Sequence, residues 1–467
     1  MMSGQNPRRR SAADLLPAAL AALAGVLVWA VFRPGLLSYD SIAQYTQAVQ
    51  GRYTDWHPPL VSIGLHFVLA LGGSLSRFML VQSVAGALGV WAFSGAVLSR
   101  LFADRLSRRG IAWLSLLVLL ILLVPVSPLA FYLMTFWKDS LAAILLLWIG
   151  TLALRHPSAA RTTALVLVAA AYGMVRHNAI VTLPVLGLFL AVEAWRRLPK
   201  GAAVALAAAP LAAALAGGAL LDAAFDVRES HPGGQVMVFD LAGLCAEDRS
   251  TCGDSPLFRR HLRMPDLGAR YRPGDLGSIF WEKPAAVDPR ILDPKLSGEL
   301  GEQYRDVVED HPLLLAEVKA ESFWTLLGTE ETDYFFHDSV MENPFGLRLQ
   351  PQLAGAREKL FAWGRETAAG GLRWIAGVHL VWLVVNVLWI AALALRGRRE
   401  LALLLLVPLA YSLSYLLAAT VQDYRFLYPS TLFVQVFTVA AGLGLLANQQ
   451  KGPKGRQGLQ GRQGRKP

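Results

Sequence analysis

Long apolar runs dominate this chain and fix what it can fold into. A helix rising 1.5 Å per residue needs roughly 17–25 apolar residues to cross a hydrocarbon core of about 30 Å. Ten stretches meet or approach that length: 14–32, 78–98, 111–132, 140–154, 162–175, 179–194, 202–222, 372–395, 401–420 and 430–447. The pair 162–175 and 179–194 also reads as one bent unit. Of the 467 residues 54% are hydrophobic and only 17% charged, against roughly a quarter charged in ordinary soluble domains. A cytosolic enzyme is therefore disfavoured. The expected fold is an all-α polytopic membrane protein of about ten transmembrane helices, with a mixed extracytoplasmic domain between the seventh and eighth spans.

One apolar stretch, Leu60–Leu75, is short for a span and carries Ser62, His66 and three glycines. The positive-inside rule decides its place. If it lies flat at the interface, every Arg-rich joint falls on one side: Arg8–Arg10, Arg100 to Arg109, Arg155 and Arg161, Arg196 to Lys200, Arg396 to Arg399, and the tail from Lys451 to Lys466. That side holds 21 Lys/Arg against four acids, a formal +17. The other side keeps 23 basic and 30 acidic residues, a formal −7. The chain's net +10 is thus a topology signal, and nucleic acid is disfavoured as a partner. Both termini are expected in the cytoplasm.

The organisation that follows has four parts. Residues 1–222 form a seven-span module whose first outward loop, 33–77, contains the interfacial helix 60–75. Residues 223–371 form the extracytoplasmic domain, 372–447 a three-span module, and 448–467 a disordered basic cytoplasmic tail. The first apolar run is read as a retained span, since Phe32-Arg33-Pro34 is a poor signal-peptide cleavage site. Cys245 and Cys252, with six residues between them, lie in the outward domain. An oxidising compartment favours a disulfide there, with free thiols as the alternative. A zinc site would need more ligands than this stretch offers.

This topology gathers scattered polar residues onto the outer face. The first loop offers Tyr39-Asp40-Ser41 and Gly51 to Leu60, with Tyr53, Asp55, Trp56 and His57. Later turns offer Trp137-Lys138-Asp139, Arg176-His177-Asn178, and Gln422 to Pro429 with Asp423, Tyr424, Arg425 and Tyr428. Charged groups beside apolar spans are costly and usually face a water-filled cavity. Each set has a plain alternative. Asp40 reads as well as a helix N-cap, Asp55 and His57 as turn residues, and Lys138 with Asp139 as a local ion pair or interfacial anchor. Arg176 could only snorkel, and His177 be a satisfied interfacial histidine. Arg425 could belong to an aromatic belt.

Together their chemistry is coherent. Lys138, Arg176, His177 and Arg425 suit a phosphate at the membrane surface. Asp40 is the candidate base for an attacking hydroxyl or amine. Asp55 and His57 are candidates to orient the acceptor, tune Asp40 or hold a divalent metal, although no cofactor is demanded by the sequence. Tyr39, Trp56, Tyr424 and Tyr428 are candidate sugar platforms.

These motifs resemble the GT-C superfamily of integral-membrane glycosyltransferases, which includes protein O-mannosyltransferases and the bacterial aminoarabinose transferase. The resemblance rests on Tyr39-Asp40-Ser41 after the first span, Gly51 to Leu60 before an interfacial helix, and Arg425-Phe426-Leu427-Tyr428-Pro429 opening the last span. The Trp137-Lys138-Asp139 and Arg176-His177-Asn178 triplets look like those of a bacterial branch of the group. The likeness covers roughly 14–222 and 372–447. Ser41 stands where many members have a second acid, leaving open whether Asp55 supplies that carboxylate. The resemblance implies sugar transfer, with inversion, from a polyprenyl-phosphate carrier to a lipid, glycan or protein acceptor on the periplasmic face of a bacterial inner membrane. It makes Asp40 the base and the cations the holders of the leaving phosphate.

Within the outward domain, Val236–Leu244 is an apolar cluster. Pro312–Leu327 is expected to form an amphipathic helix with Leu314, Val318 and Phe323 on one face, and to wall the cavity. Glu330, Glu331, Asp333, His337 and Asp338 read as a solvated acidic loop before a metal cluster, and the domain as a selector of acceptor. Competing readings are a lipid-linked-sugar flippase or permease, a surface-polysaccharide polymerase or ligase, and a scaffold. Transporters tend to show internal repeats and mid-membrane sites, which are not evident here.

Overall fold

The computed structural model describes residues 12–123, 127–195, 197–264, 266–328 and 335–449. Arg8–Arg10, Arg196, the acids Glu330, Glu331 and Asp333, and residues 450–467 lie outside the described residues.

The described chain is helical throughout, its only β pairings being isolated bridges. In order the helices are α1 (Ala12–Phe32), α2 (Tyr39–Gln50), α3 (Leu60–Ala70), α4 (Leu75–Phe102), α5 (Arg108–Leu123), α6 (Leu129–Met134), α7 (Lys138–Ala153), α8 (Ala159–Val175), α9 (Leu183–Ala194) and α10 (Lys200–Phe225). The outward region contributes α11 (Gly233–Glu247), α12 (Pro256–His261), α13 (Gly277–Phe280), α14 (Ser297–Asp310), α15 (Pro312–Leu326), α16 (Ala354–Ala369) and α17 (Arg373–Ala376). The chain closes with α18 (His379–Leu395), α19 (Arg399–Ala418) and α20 (Tyr428–Gln449).

Six helical segments are long and apolar enough to cross a membrane: Leu15–Phe32, Leu75–Phe102, His177–Ala194, Lys200–Phe225, Arg399–Ala418 and Tyr428–Gln449. The runs at 111–132, 140–154, 162–175 and 372–395 yield shorter helices of 16 or 17 residues. Two of those runs were expected to be longer: the described part of α5 runs to Leu123, and α18 starts late. Pro128, which cannot donate to a helical ladder, precedes a separate α6. Val378 is extended, so α18 begins at His379 instead of 372. Of the tail expected from 448, Asn448 and Gln449 belong to α20.

Pairwise contacts give the helices their sense. Trp29 Nε1 donates to the Ser76 carbonyl at 2.8 Å, and Ser83 Oγ to the Gly25 carbonyl at 2.9 Å. Because these positions run oppositely along the chain, α1 and α4 are antiparallel, and residues 33–74 leave and return at one end of the bundle. The 11-residue α3 spans only about 16 Å, and both its ends belong to that end. Close approaches between rods use glycine: a Cβ on Gly187 would stand 1.9 Å from the Ala207 carbonyl oxygen, so only a residue without one lets α9 lie on α10.

At the opposite end, Arg100 of α4 pairs with Glu400 of α19, and Arg161 of α8 with Glu193 of α9. The Arg161 guanidinium also satisfies the Leu152 carbonyl at 2.7 Å, a terminal acceptor of α7.

Residues 223–371 depart from the mixed composition expected of them. Val236–Leu244 lies inside α11, where Val238 to Cys245 are all buried. A short apolar run buried on every side has no period that separates strand from helix, and helix wins here. Helix α15 joins two cores. Val318 packs with α11, while Phe323 and Leu326 belong to the core of the helical bundle. Buried Lys319 pairs with Asp240 at 2.7 Å and donates to the Leu417 carbonyl at 2.6 Å, near the end of α19. Tyr304 Oη donates to the other Asp240 oxygen at 2.7 Å, so this buried carboxylate is served on both sides.

Cys245 and Cys252 form the expected disulfide. It ties the end of α11 to the turn Arg249–Gly253. Replacing both by Ser is expected to destabilise the outward domain by about 2 kcal/mol through the lost loop constraint. Denaturation followed by near-ultraviolet circular dichroism checks this against the oxidised parent.

Candidate functional site

Asp40 occupies the first turn of α2, but it does not cap the helix. Ser38 does: its hydroxyl accepts from the Ser41 amide while the Ser41 hydroxyl accepts from the Ser38 amide, a reciprocal capping box. The cap explanation for Asp40 is thereby removed, and its carboxylate is free to point elsewhere. Ser41 Oγ donates to the Phe136 carbonyl at 2.8 Å, and Ser38 Oγ accepts from Trp137 Nε1 at 2.8 Å. These bonds lock α2 to the entry of α7.

The Asp40 carboxylate meets two groups, one of which is backed by a third. Arg425 Nη1 lies 2.8 Å from one oxygen. His57 Nε2 lies 3.7 Å from the other. Lys138 Nζ donates to His57 Nδ1 at 2.9 Å. That bond leaves the imidazole proton on Nε2, facing Asp40. Burial favours the neutral carboxyl, but Arg425, His57 and Lys138 outweigh it and hold Asp40 below the usual carboxylate range. Burial, followed by the Lys138 charge, pushes His57 down, so the ring is neutral near pH 7.

Arg425 is held from several directions. Asp423 forms an ion pair with it, one oxygen lying 2.8 Å from Nε, and accepts from its backbone amide at 3.1 Å. The guanidinium carbon sits 4.9 Å from the Trp137 ring centre and 5.4 Å from that of Phe426. The short 3₁₀ turn Tyr424–Phe426 that presents it is backed by His379, which contacts the Tyr424 carbonyl at 3.0 Å and stacks on its ring.

Arg176 stands beside this cluster, with its guanidinium carbon 4.9 Å from the Phe426 ring. It ends α8 in an extended conformation. Its charge is matched by Asp139, which is 1% exposed, and Tyr415 Oη accepts from its Nε at 3.1 Å. The acid next to Lys138 therefore serves Arg176 instead of forming a local pair. Among the described residues, Lys138 has no carboxylate within ion-pair distance. Asp40, Asp139 and Asp423 balance Lys138, Arg176 and Arg425, so the formal charges of the cluster cancel.

Several sequence candidates fall outside this arrangement. The Asp55 carboxylate does not reach Asp40; one oxygen accepts from the Ser230 amide at 2.5 Å and from its hydroxyl, clasping the first loop to the outward domain. The bridge between Thr54 and Arg228 extends the clasp. Ser230 thus claims Asp55, and the second acid at Arg425 is Asp423. His177 is exposed, and its Nε2 lies 3.2 Å from the Asp55 carbonyl. Tyr424 and Tyr428 are each 1% exposed. Tyr424 donates to the Ala376 carbonyl at 2.7 Å and Tyr428 stacks on Tyr132, so both pack the core and are no platform for a sugar. Tyr39 is 72% exposed and Trp56 half-buried, which leaves them accessible.

Asp423 and Tyr415 escaped a reading by motif. Asp423 had a usable signal, since an Asp two residues before an Arg in a turn forms an Asx cap. Tyr415 had none, because a tyrosine in an apolar helix looks the same whether or not it serves an arginine. Of the acidic loop, His337 lies by Trp137 with ring centres 5.9 Å apart, while Asp338 pairs with Arg365 at 3.0 Å. No group of three or more His, Cys, Asp or Glu able to hold a metal occurs among the described residues. A cleft of about 240 Å³ lined by His379, Asn386 and Ser412 lies behind the Arg425 turn. The electrostatics, more than any enclosed volume, mark the site.

No family model matches the chain, and neither a curated protein nor a solved structure matches it.

Proposed function

We propose that this protein is an integral-membrane group transferase that moves a sugar from a polyprenyl-phosphate carrier to an acceptor on the extracytoplasmic face, with Asp40 as the base. The observation that carries this reading is the convergence of Asp40, His57, Lys138 and Arg425 from four separated segments onto one end of the bundle. A carboxylate beside cations, at a membrane surface, suits proton removal from an acceptor and charge neutralisation on a departing phosphate. Lys138 and Arg425 are the cations best disposed for that phosphate.

In this reading the chain crosses the membrane ten times, using α1, α4, α5, α7, α8, α9, α10, α18, α19 and α20. The antiparallel α1 and α4 and the ion pairs at the far end support the alternation. The basic joints then face the cytoplasm and the site faces outward, in a bacterial inner membrane. The domain 223–371 contributes acceptor choice.

The deciding measurement gives membranes containing the full chain a radiolabelled polyprenyl-phosphate sugar, with native envelope lipids and proteins as acceptors. A new glycosidic product, absent from membranes lacking the chain, is expected. Movement of the intact lipid across the bilayer without product would assign the chain to the flippase class instead.

A further inference from the structure

Arg425 and Asp40 neutralise each other across 2.8 Å. The two groups assigned to the leaving phosphate and to the base are therefore each other's partners. We propose that this pair is a latch, in which a phosphate anion entering at Arg425 displaces Asp40 and so frees the base only once the anion is in place. The inference rests on the reading of Arg425 as an anion-binding group made above.

The two acids on Arg425 are not equivalent, and that asymmetry carries the idea. Asp423 is 10% exposed, ion-pairs with the guanidinium with 2.8 Å to Nε, and accepts from the backbone amide of Arg425. Asp40 is 36% exposed and touches Nη1 alone. A carboxylate that keeps access to water loses little when its partner is taken, because water replaces the contact. One that is buried and bidentate stays. Trp137 and Phe426 flank the guanidinium, which keeps its plane fixed while the partner at Nη1 changes. Planar guanidinium groups donate to phosphate oxygens as readily as to those of a carboxylate, so a phosphate can take the place of Asp40 at Nη1. Asp40 then needs a new neighbour, and His57 Nε2–H at 3.7 Å is the nearest donor. Since Ser38 caps α2, Asp40 can turn away without unravelling the helix that carries it.

The latch makes Asp40 a competitor of the anion, which gives substitutions of opposite sign. The test uses the full chain purified in detergent and titrates two probes, inorganic phosphate and farnesyl phosphate, by calorimetry. Asp40→Asn and Asp40→Ala are expected to bind the probe roughly fivefold tighter than the parent. Asp423→Asn removes the same formal charge but loosens Arg425, and is expected to bind at least as weakly as the parent. Arg425→Ala is expected to lose tenfold or more. Preference for farnesyl phosphate would assign the anion to a lipid headgroup, and equal binding of both to a free phosphate; each outcome supports the latch. Unchanged or weaker binding by both Asp40 variants, with Arg425→Ala still impaired, overturns the latch and leaves the anion site standing. Failure of every form to bind either probe overturns the latch and the anion site together.

Discussion

Asp40→Asn is expected to lower the rate of sugar transfer by about 10³-fold while leaving the fold intact, because it removes the proton acceptor and little else. The isolation of the two effects comes from the local structure. Helix α2 owes its start to the Ser38–Ser41 capping box, so the helix survives the change. Arg425 keeps Asp423 and its two aromatic neighbours, so no buried charge is stranded. The pair that is lost is partly exposed, and such pairs contribute only about 0–1 kcal/mol. Thermal unfolding of the variant should therefore stay close to that of the parent. The check is the initial rate of product formation from a polyprenyl-phosphate sugar, with expression and melting measured on the same preparations. A variant that unfolds with the parent and transfers at the parent's rate removes Asp40 from the role of base.

Charge distribution made the outer-face grouping legible, and contact chemistry decided what each member does. The +17 and −7 split assigned Asp40, Lys138, Arg176 and Arg425 to one side, and they do meet at one end of the bundle. It also argued against reading Leu60–Leu75 as a span, and the antiparallel α1 and α4 return the chain to one end of the bundle around it. Partner choice within the group was not legible. Asp139 follows Lys138 in sequence yet serves Arg176, because the first turn of a helix sends successive side chains about 100° apart. Asp55 lies two residues from His57 and looks equally chemical, yet the neighbouring domain claims it through Ser230. Tyr424 and Tyr428 could not be told from belt aromatics, since burial depends on which helices pack over them. The helical outward domain was hidden for a similar reason, as short buried runs have no readable period.

The second large effect concerns Arg176 and is one of stability. Asp139→Ala is expected to destabilise the protein by about 3 kcal/mol or more, because it leaves a guanidinium buried without its counter-charge. Arg176 and Asp139 have side-chain exposures of 7% and 1%, so water cannot take the place of the lost partner. Arg176→Met should be comparably damaging, since it strands the carboxylate. The double replacement Arg176→Met with Asp139→Leu removes both charges and fills similar volume, and is expected to recover most of the loss. Melting of the four forms in detergent closes this cycle. The same four forms separate two roles for Arg176. Its guanidinium is already committed to Asp139 and Tyr415, whereas Lys138 and Arg425 stand closer to Asp40. The double variant is therefore expected to retain transfer within about tenfold of the parent, a loss of roughly 1.4 kcal/mol in transition-state stabilisation. A double variant that melts normally yet transfers 10²-fold or more slowly would move Arg176 back among the groups that hold the leaving phosphate.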